Sequence, residues 1–221
     1  MFWKDIYLGW FAIPVTIIGV VGIINAVNML DGVDGLAASL GLMQLLLLSL
    51  LAYMVDNFEA LRVLLILCFA LSGFLFFNLR FALTHKIRVF MGDAGSMFIG
   101  FSLSWFLVCL SQNPAHPISA VTMLWIMAIP LFDTLRVMIH RIKHKRSPFS
   151  PGRDHIHHFL EEKGYHPIQI NLILSMATLI LGFFGIWGAV YHVAEGLMFM
   201  LFLGLFILYY GFIRHGLACK A

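Results

Sequence analysis

Asp31 and Asp34 stand three residues apart in NAVNMLDGVDGLAASL, residues 25–40, interleaved with Gly32 and Gly35. At a helical start that spacing puts both carboxylates on one face, and the glycines allow another chain segment to come close. Acids next to a long apolar stretch are costly unless they hold a cation, meet a polar ligand or reach water. The plainer reading is an Asp/Gly loop in which Asp34 caps the next helix, but Asn25 and Asn28 just upstream favour a site. A second segment, VFMGDAGSMFIGF at residues 89–101, places Asp93 between Gly92 and Gly95, with Ser96 opening an apolar run. The N–H groups at such a helix start suit a phosphate, and a carboxylate there suits Mg²⁺, which takes few protein oxygens and completes its shell with water and substrate phosphates. The competing reading is Asp93 or Ser96 as a simple N-cap. No GKS or GKT follows, so a Walker-type nucleoside-triphosphatase loop is rejected.

The third segment is hydrophilic and runs from Arg136 to Pro167. Arg141, Lys143, Lys145, Arg146 and Arg153 form a basic strip suited to a pyrophosphate or to anionic headgroups. Asp154–Lys163 reads as a short interfacial helix after Pro148 and Pro151, with His155 and His158 on one face. The HIHH run (His155, His157, His158) fits phosphate or nucleotide contact through ring N–H groups better than zinc, since no cysteine lies near it. Asp133 with Arg136 reads equally as an i,i+3 ion pair holding a helix end and as a functional pair. Together these segments predict metal-assisted chemistry on a phosphorylated substrate.

Long apolar helices must position them. Hydrophobic residues make up 61% of the 221 and charged residues 11%, against roughly 45–50% and 25% in soluble domains. With 21 Phe and 12 Met, a water-soluble domain would expose too much apolar surface. The composition predicts an integral membrane protein and excludes disorder and a nucleic-acid module. A hydrocarbon core of about 30 Å needs roughly 20 apolar residues per helix, which gives seven candidate spans at 8–27, 36–55, 61–79, 95–111, 118–139, 168–191 and 195–214. The expected fold is an all-α polytopic transmembrane bundle of about seven spans, one domain over residues 1–221 containing a basic, histidine-rich loop at 140–167. Gly41, Gly73, Gly100, Gly182, Gly185 and Gly204 lie within spans and fit close helix packing. Cys68, Cys109 and Cys219 are far apart and suggest neither disulfide nor thiolate site.

With alternate loops on alternate sides, twelve of the fourteen Lys and Arg fall on one face and only Lys4 and Arg62 on the other. The positive-inside rule makes the crowded face cytoplasmic, with the C-terminus there. Asp31, Asp34, Asp93, Asp133, Asp154 and the HIHH histidines fall on that same face, so any reaction is expected at the cytoplasmic surface on a substrate from that compartment.

In NAVNMLDGVDGLA, FNLR with VFMGDAGSMFIGF, IPLFDTLRVMIHR and SPFSPGRDHIHHFL, in that order from about residue 25 to 160, the chain resembles the polyprenyl-phosphate N-acetylhexosamine-1-phosphate transferases. It looks closest to their undecaprenyl-phosphate N-acetylglucosamine-1-phosphate branch. The resemblance implies Mg²⁺-dependent (or Mn²⁺-dependent) transfer of a sugar 1-phosphate from a UDP-N-acetylhexosamine to undecaprenyl phosphate. UMP would be released and a lipid-linked cell-surface polysaccharide begun, at the bacterial inner membrane. It implies Asp93 as main metal ligand, Asp31 and Asp34 lining the metal and nucleotide site with Asn28 beside them, and Arg141, Arg153, His155, His157 and His158 contacting phosphates or sugar. The partners implied are the two substrates and the bilayer, with a homodimer allowed and no nucleic acid.

Family members also carry spans and an Asp-Asp motif ahead of the first matching segment. By that comparison the chain corresponds to the C-terminal part of the family fold. A catalytically inactive remnant that still binds UDP-sugar and Mg²⁺ is therefore the alternative expectation. A cation-coupled transporter is disfavoured, because transporters place ionisable groups near the bilayer midplane.

Overall fold

The computed structural model describes residues 9–79, 89–113, 118–148, 152 and 154–218. Among them every regular element is helical. A 3₁₀ turn, Gly9–Phe11, leads into α1 (Ala12–Met29), followed by α2 (Leu36–Met54), α3 (Phe58–Asn78), α4 (Gly92–Ser111), α5 (Ala120–Ile126), α6 (Ala128–Lys143), α7 (Ile156–Glu162), α8 (Pro167–Val190) and α9 (Glu195–Ala218). Six of these helices are long and apolar enough to cross a bilayer; hydrocarbon offers the backbone no other hydrogen-bond partner, so the apolar runs satisfy themselves as helix. The protein is a multi-pass helical membrane bundle.

The expected span at 118–139 is not one helix. α5 and α6 meet at 80°, and Pro130 is the cause. A continuous helix would need an N–H at position 130 to bond the Ile126 carbonyl, which proline lacks, and its ring would strike that same oxygen. The released carbonyl accepts a bond from Gln44 Nε2 at 3.3 Å. Gln44 is fully buried, so an amide in the apolar interior meets the acceptor that the proline sets free.

α2 is the central helix, and its inward residues Leu45, Leu48 and Leu51 pack with Leu64 of α3 and Leu103, Leu107 and Leu110 of α4. Lipid tails are as apolar as leucine, so close fit holds such helices together more than apolar burial does. Small residues set that fit at Gly41 against Ile99, Gly182 against Leu47 and Gly185 against Trp125; Gly73 and Gly204 have nothing within 4 Å and do not serve it. The tightest crossing is α1 on α4: a methyl on Gly100 would lie 2.7 Å from the Ile24 Cα.

Chain reversals gather the α1–α2 turn, the start of α4, the ends of α6 and α9, α7 and the start of α8 at one end of the bundle. Among the described residues that end holds Arg136, Arg141, Lys143, Lys145, Arg146, Lys163 and Arg214, while the other end holds Arg62.

Candidate active site

The backbone crossing at Gly100 sets the first part of the site. α1 and α4 run antiparallel, so one turn beyond Ile24 on α1 meets one to two turns before Gly100 on α4. Asn28 Nδ2 accordingly donates to Ser96 Oγ at 2.8 Å and lies 3.3 Å from Asp93 Oδ1. Ser96 is fully buried, whereas Asp93 is exposed in the first turn of α4. Neither caps that helix: its N-cap is Met91, with no side-chain bond. Asp93 thus stands exposed at a helix N-terminus without capping it, where the partial positive charge of unpaired N–H groups favours an anion.

Asp31 and Asp34 do not share a helical face. α1 ends at Met29 and α2 begins at Leu36, with the two acids in the turns between. Asp34 is not a cap either; Gly35 takes that position at φ +74° with no side-chain bond. A side chain at Gly35 would strain the backbone and lie 2.9 Å from Asn78 Oδ1. Asn78, from the FNLR segment, donates to the Val89 carbonyl at 2.6 Å, tying the α3 exit to the entry of α4. Asn171 of α8 bonds the Asp34 carbonyl at 3.4 Å.

The acids nonetheless occupy one electrostatic neighbourhood. The Asp31 carboxyl is raised above the ordinary carboxylate range, first by burial and then by the charges of Asp93 and Asp34. No three His, Cys, Asp or Glu among the described residues form a ready-made metal cage.

HIHH comes to this site through one ring. His157 is 1% exposed and lies against Gly32, where an added Cβ would collide with Nε2 and sit 2.9 Å from Cε1. Both its ring nitrogens are buried without a partner among the described residues. Burial, and secondarily the charge of His158, push its pKa down to about 4, so it is a neutral imidazole with one donor and one acceptor on offer. His155 and His158 do not present a common face. His155 Nδ1 pairs with Asp133 Oδ2 at 2.7 Å, and His158 Nδ1 with Glu161 Oε2 at 2.9 Å. The His155 and His157 rings are parallel within 2°, their centroids 5.8 Å apart.

Asp133 positions this segment, a role its sequence context left open. It is fully buried. Besides His155 it accepts from Arg136 Nη2 at 3.1 Å, the Ile156 N–H at 2.9 Å and the Tyr209 hydroxyl at 3.2 Å. Four donors hold the carboxylate, three on Oδ1 and one on Oδ2. Arg136 also donates to the Asp154 carbonyl. Arg141 faces the same loop rather than the carboxylates: Nε meets Asp154 Oδ2 and Nη1 the Pro148 carbonyl, each at 3.1 Å, while Nη2 is buried without a partner. Arg153 lies outside the described residues. Tyr209 escaped sequence reasoning because its partner Asp133 lies on another helix; Glu161 sits three residues from His158 on α7, a helical spacing that could have found it. An acid inside a span was the available signal for Asp133.

Comparison with known proteins places the chain among its relatives. The model of glycosyl transferase family 4 matches residues 1–111. The undecaprenyl-phosphate alpha-N-acetylglucosaminyl 1-phosphate transferase of Escherichia coli (strain K12) is 40% identical over 161 residues, covering 71% of this chain and 44% of the relative. The proteins of that name from Pasteurella multocida (strain Pm70) and Salmonella typhi are 40% identical over 143 residues and 44% over 128, covering 65% and 58% of this chain and 40% and 35% of the relative. The chain spans less than half the length of these curated relatives. With the matched region running through Asn28, Asp31, Asp34 and Asp93, the residues that converge in the structure, the chain belongs to glycosyl transferase family 4.

Proposed function

We propose that the protein transfers N-acetylglucosamine 1-phosphate from its UDP-sugar to undecaprenyl phosphate, at the cytoplasmic face of a bacterial plasma membrane, and so begins a lipid-linked polysaccharide. The observation that carries this reading is the seating of His157 on Gly32 beside the Asn28–Asp93–Ser96 cluster. It joins three segments distant in sequence into a site with acids on one side and an unsatisfied imidazole on the other. The names of the relatives support the sugar and the acceptor, and the crowding of Lys and Arg at the site end supports the orientation.

The residues suit a magnesium ion. Asp31 is held off its ordinary pKa partly by two neighbouring acids, a repulsion a divalent cation would relieve. The lack of a closed cage fits an ion that binds one or two carboxylates and takes its other ligands from water and phosphates. Asp93 would hold it, with Asp31 and Asp34 adjoining, and the ion would neutralise the diphosphate's charge. The protein's own residues do the rest. Asn28 orients Asp93. His157 offers its N–H to a phosphate or sugar oxygen, with His155 holding the segment and His158 at its outer edge. A lipid phosphate oxygen then attacks the β-phosphorus, the bond to UMP breaks, and UMP leaves with the electron pair, so the protein's task is placement and charge balance.

The test is direct. Membranes containing the 221-residue chain, given radiolabelled UDP-N-acetylglucosamine, undecaprenyl phosphate and Mg²⁺, should yield organic-extractable label and stoichiometric UMP. Absence of both overturns the proposal. Within this assay Gly32→Ala should lower turnover by about 10²-fold, the effect of displacing a positioned group by about 1 Å. Its thermal midpoint should fall only a little, because the added methyl meets the ring end of one side chain and no backbone. Unchanged turnover would separate His157 from the reaction.

A further inference from the structure

Toward their C-terminal ends α6 and α9 border a cavity of about 370 Å³ whose lining includes Arg136, His140, Lys143, His144, Tyr210 and Arg214. None of the proposed metal, nucleotide or sugar contacts belongs to it. Arg136, at its buried side, is balanced by Asp133 yet keeps its Nε buried with no partner. Lys143 and Arg214 have no ion pair among the described residues. Lys143 Nζ instead rests 3.1 Å from the Tyr210 hydroxyl and 4.9 Å from that ring's centroid. His144 Nδ1 bonds the His140 carbonyl at 2.8 Å, which fixes the ring at the cavity rim. No acidic side chain lines it among the described residues.

The cations adjoin apolar surface at the ends of membrane helices. Leu203 is 38% and Ile207 68% exposed, seven and three residues before Tyr210 and so on the same face of α9 as Tyr210 and Arg214. A soluble anion has no use for that surface, whereas a phospholipid has a phosphate for the cations, acyl chains for the flanks and a tyrosine at headgroup depth. We propose that this cleft between α6 and α9 binds the phosphate of an anionic phospholipid headgroup.

The test is native mass spectrometry of the full chain in detergent, titrated with phosphatidylglycerol or phosphatidylcholine. Each surface cation contributes roughly fivefold to anionic-lipid affinity, so the wild type should retain phosphatidylglycerol roughly 30-fold better through Lys143 and Arg214. Lys143→Gln with Arg214→Gln should bring the two lipids to parity, and Lys143→Arg with Arg214→Lys should restore the preference. Equal retention of both lipids by the wild type, a preference untouched by the double Gln variant, or displacement of phosphatidylglycerol by millimolar inorganic phosphate would each overturn the proposal. The first of these readouts needs no variant to fold.

Discussion

Asp93→Asn is expected to lower sugar-phosphate transfer by about 10³-fold, the upper end for losing one preorganised electrostatic contact to a reacting group, with insertion and folding unchanged. The amide is isosteric and keeps an oxygen to accept from Asn28, and the half-buried Asn28–Ser96 bond at 2.8 Å does not involve position 93. The α1–α4 crossing at Gly100 therefore survives. What disappears is a full negative charge at the mouth of the site, and with it the affinity for a divalent cation. The measurement is initial rate against Mg²⁺ concentration with the labelled UDP-sugar. Turnover within tenfold of wild type at saturating Mg²⁺ would remove Asp93 as the principal ligand.

The second large effect is on stability. Asp133→Ala removes the acceptor for four donors and leaves the Arg136 guanidinium, 3% exposed, without its counter-charge. Breaking one side of a buried ion pair costs about 3–5 kcal/mol, a large share of the margin by which a domain is folded. The damage should be local first. The Ile156 amide donates to Asp133 Oδ1 at 2.9 Å, so its hydrogen exchange should accelerate and α7 should loosen before the membrane helices do. Pairing Asp133→Ala with Arg136→Met should recover part of the loss, since a buried apolar pair avoids the stranded charge. Wild-type exchange at Ile156 in the single variant would show that the histidine segment is held by other means.

Much of this was legible in the chain. Apolar runs of bilayer length read directly as helices, because in hydrocarbon length and composition leave one backbone solution. The acidic segments also read as one site, since topology alone brings alternate reversals to one end. Other features depended on choices that a linear pattern does not contain. Asp31 and Asp34 have helical spacing, but the α1 exit and the left-handed Gly35 put them in turns. His155 and His158 have helical spacing too, yet His155 precedes α7 and turns inward to an acid 22 residues earlier. Pro130 was visible, and a bend could be suspected from it. That Gln44, 82 residues away, would meet the freed carbonyl depended on how α2 packs, which sequence spacing does not encode.

The elbow at Ile126–Ala128 has a mechanical consequence. A span that continued straight into a second rigid helix would pass any change of bilayer thickness, and the tilt that answers it, directly to its far end. Here the hydrogen-bond ladder stops at the elbow, so α5 can follow α2 and α8, which hold it through the Gln44 bond and the Gly185–Trp125 contact, while α6, pinned through Asp133 to His155 and Tyr209, keeps its bearing. Turnover of the intact protein should accordingly vary little across vesicles of different acyl-chain length, and replacing Pro130 with Ala should make it sensitive.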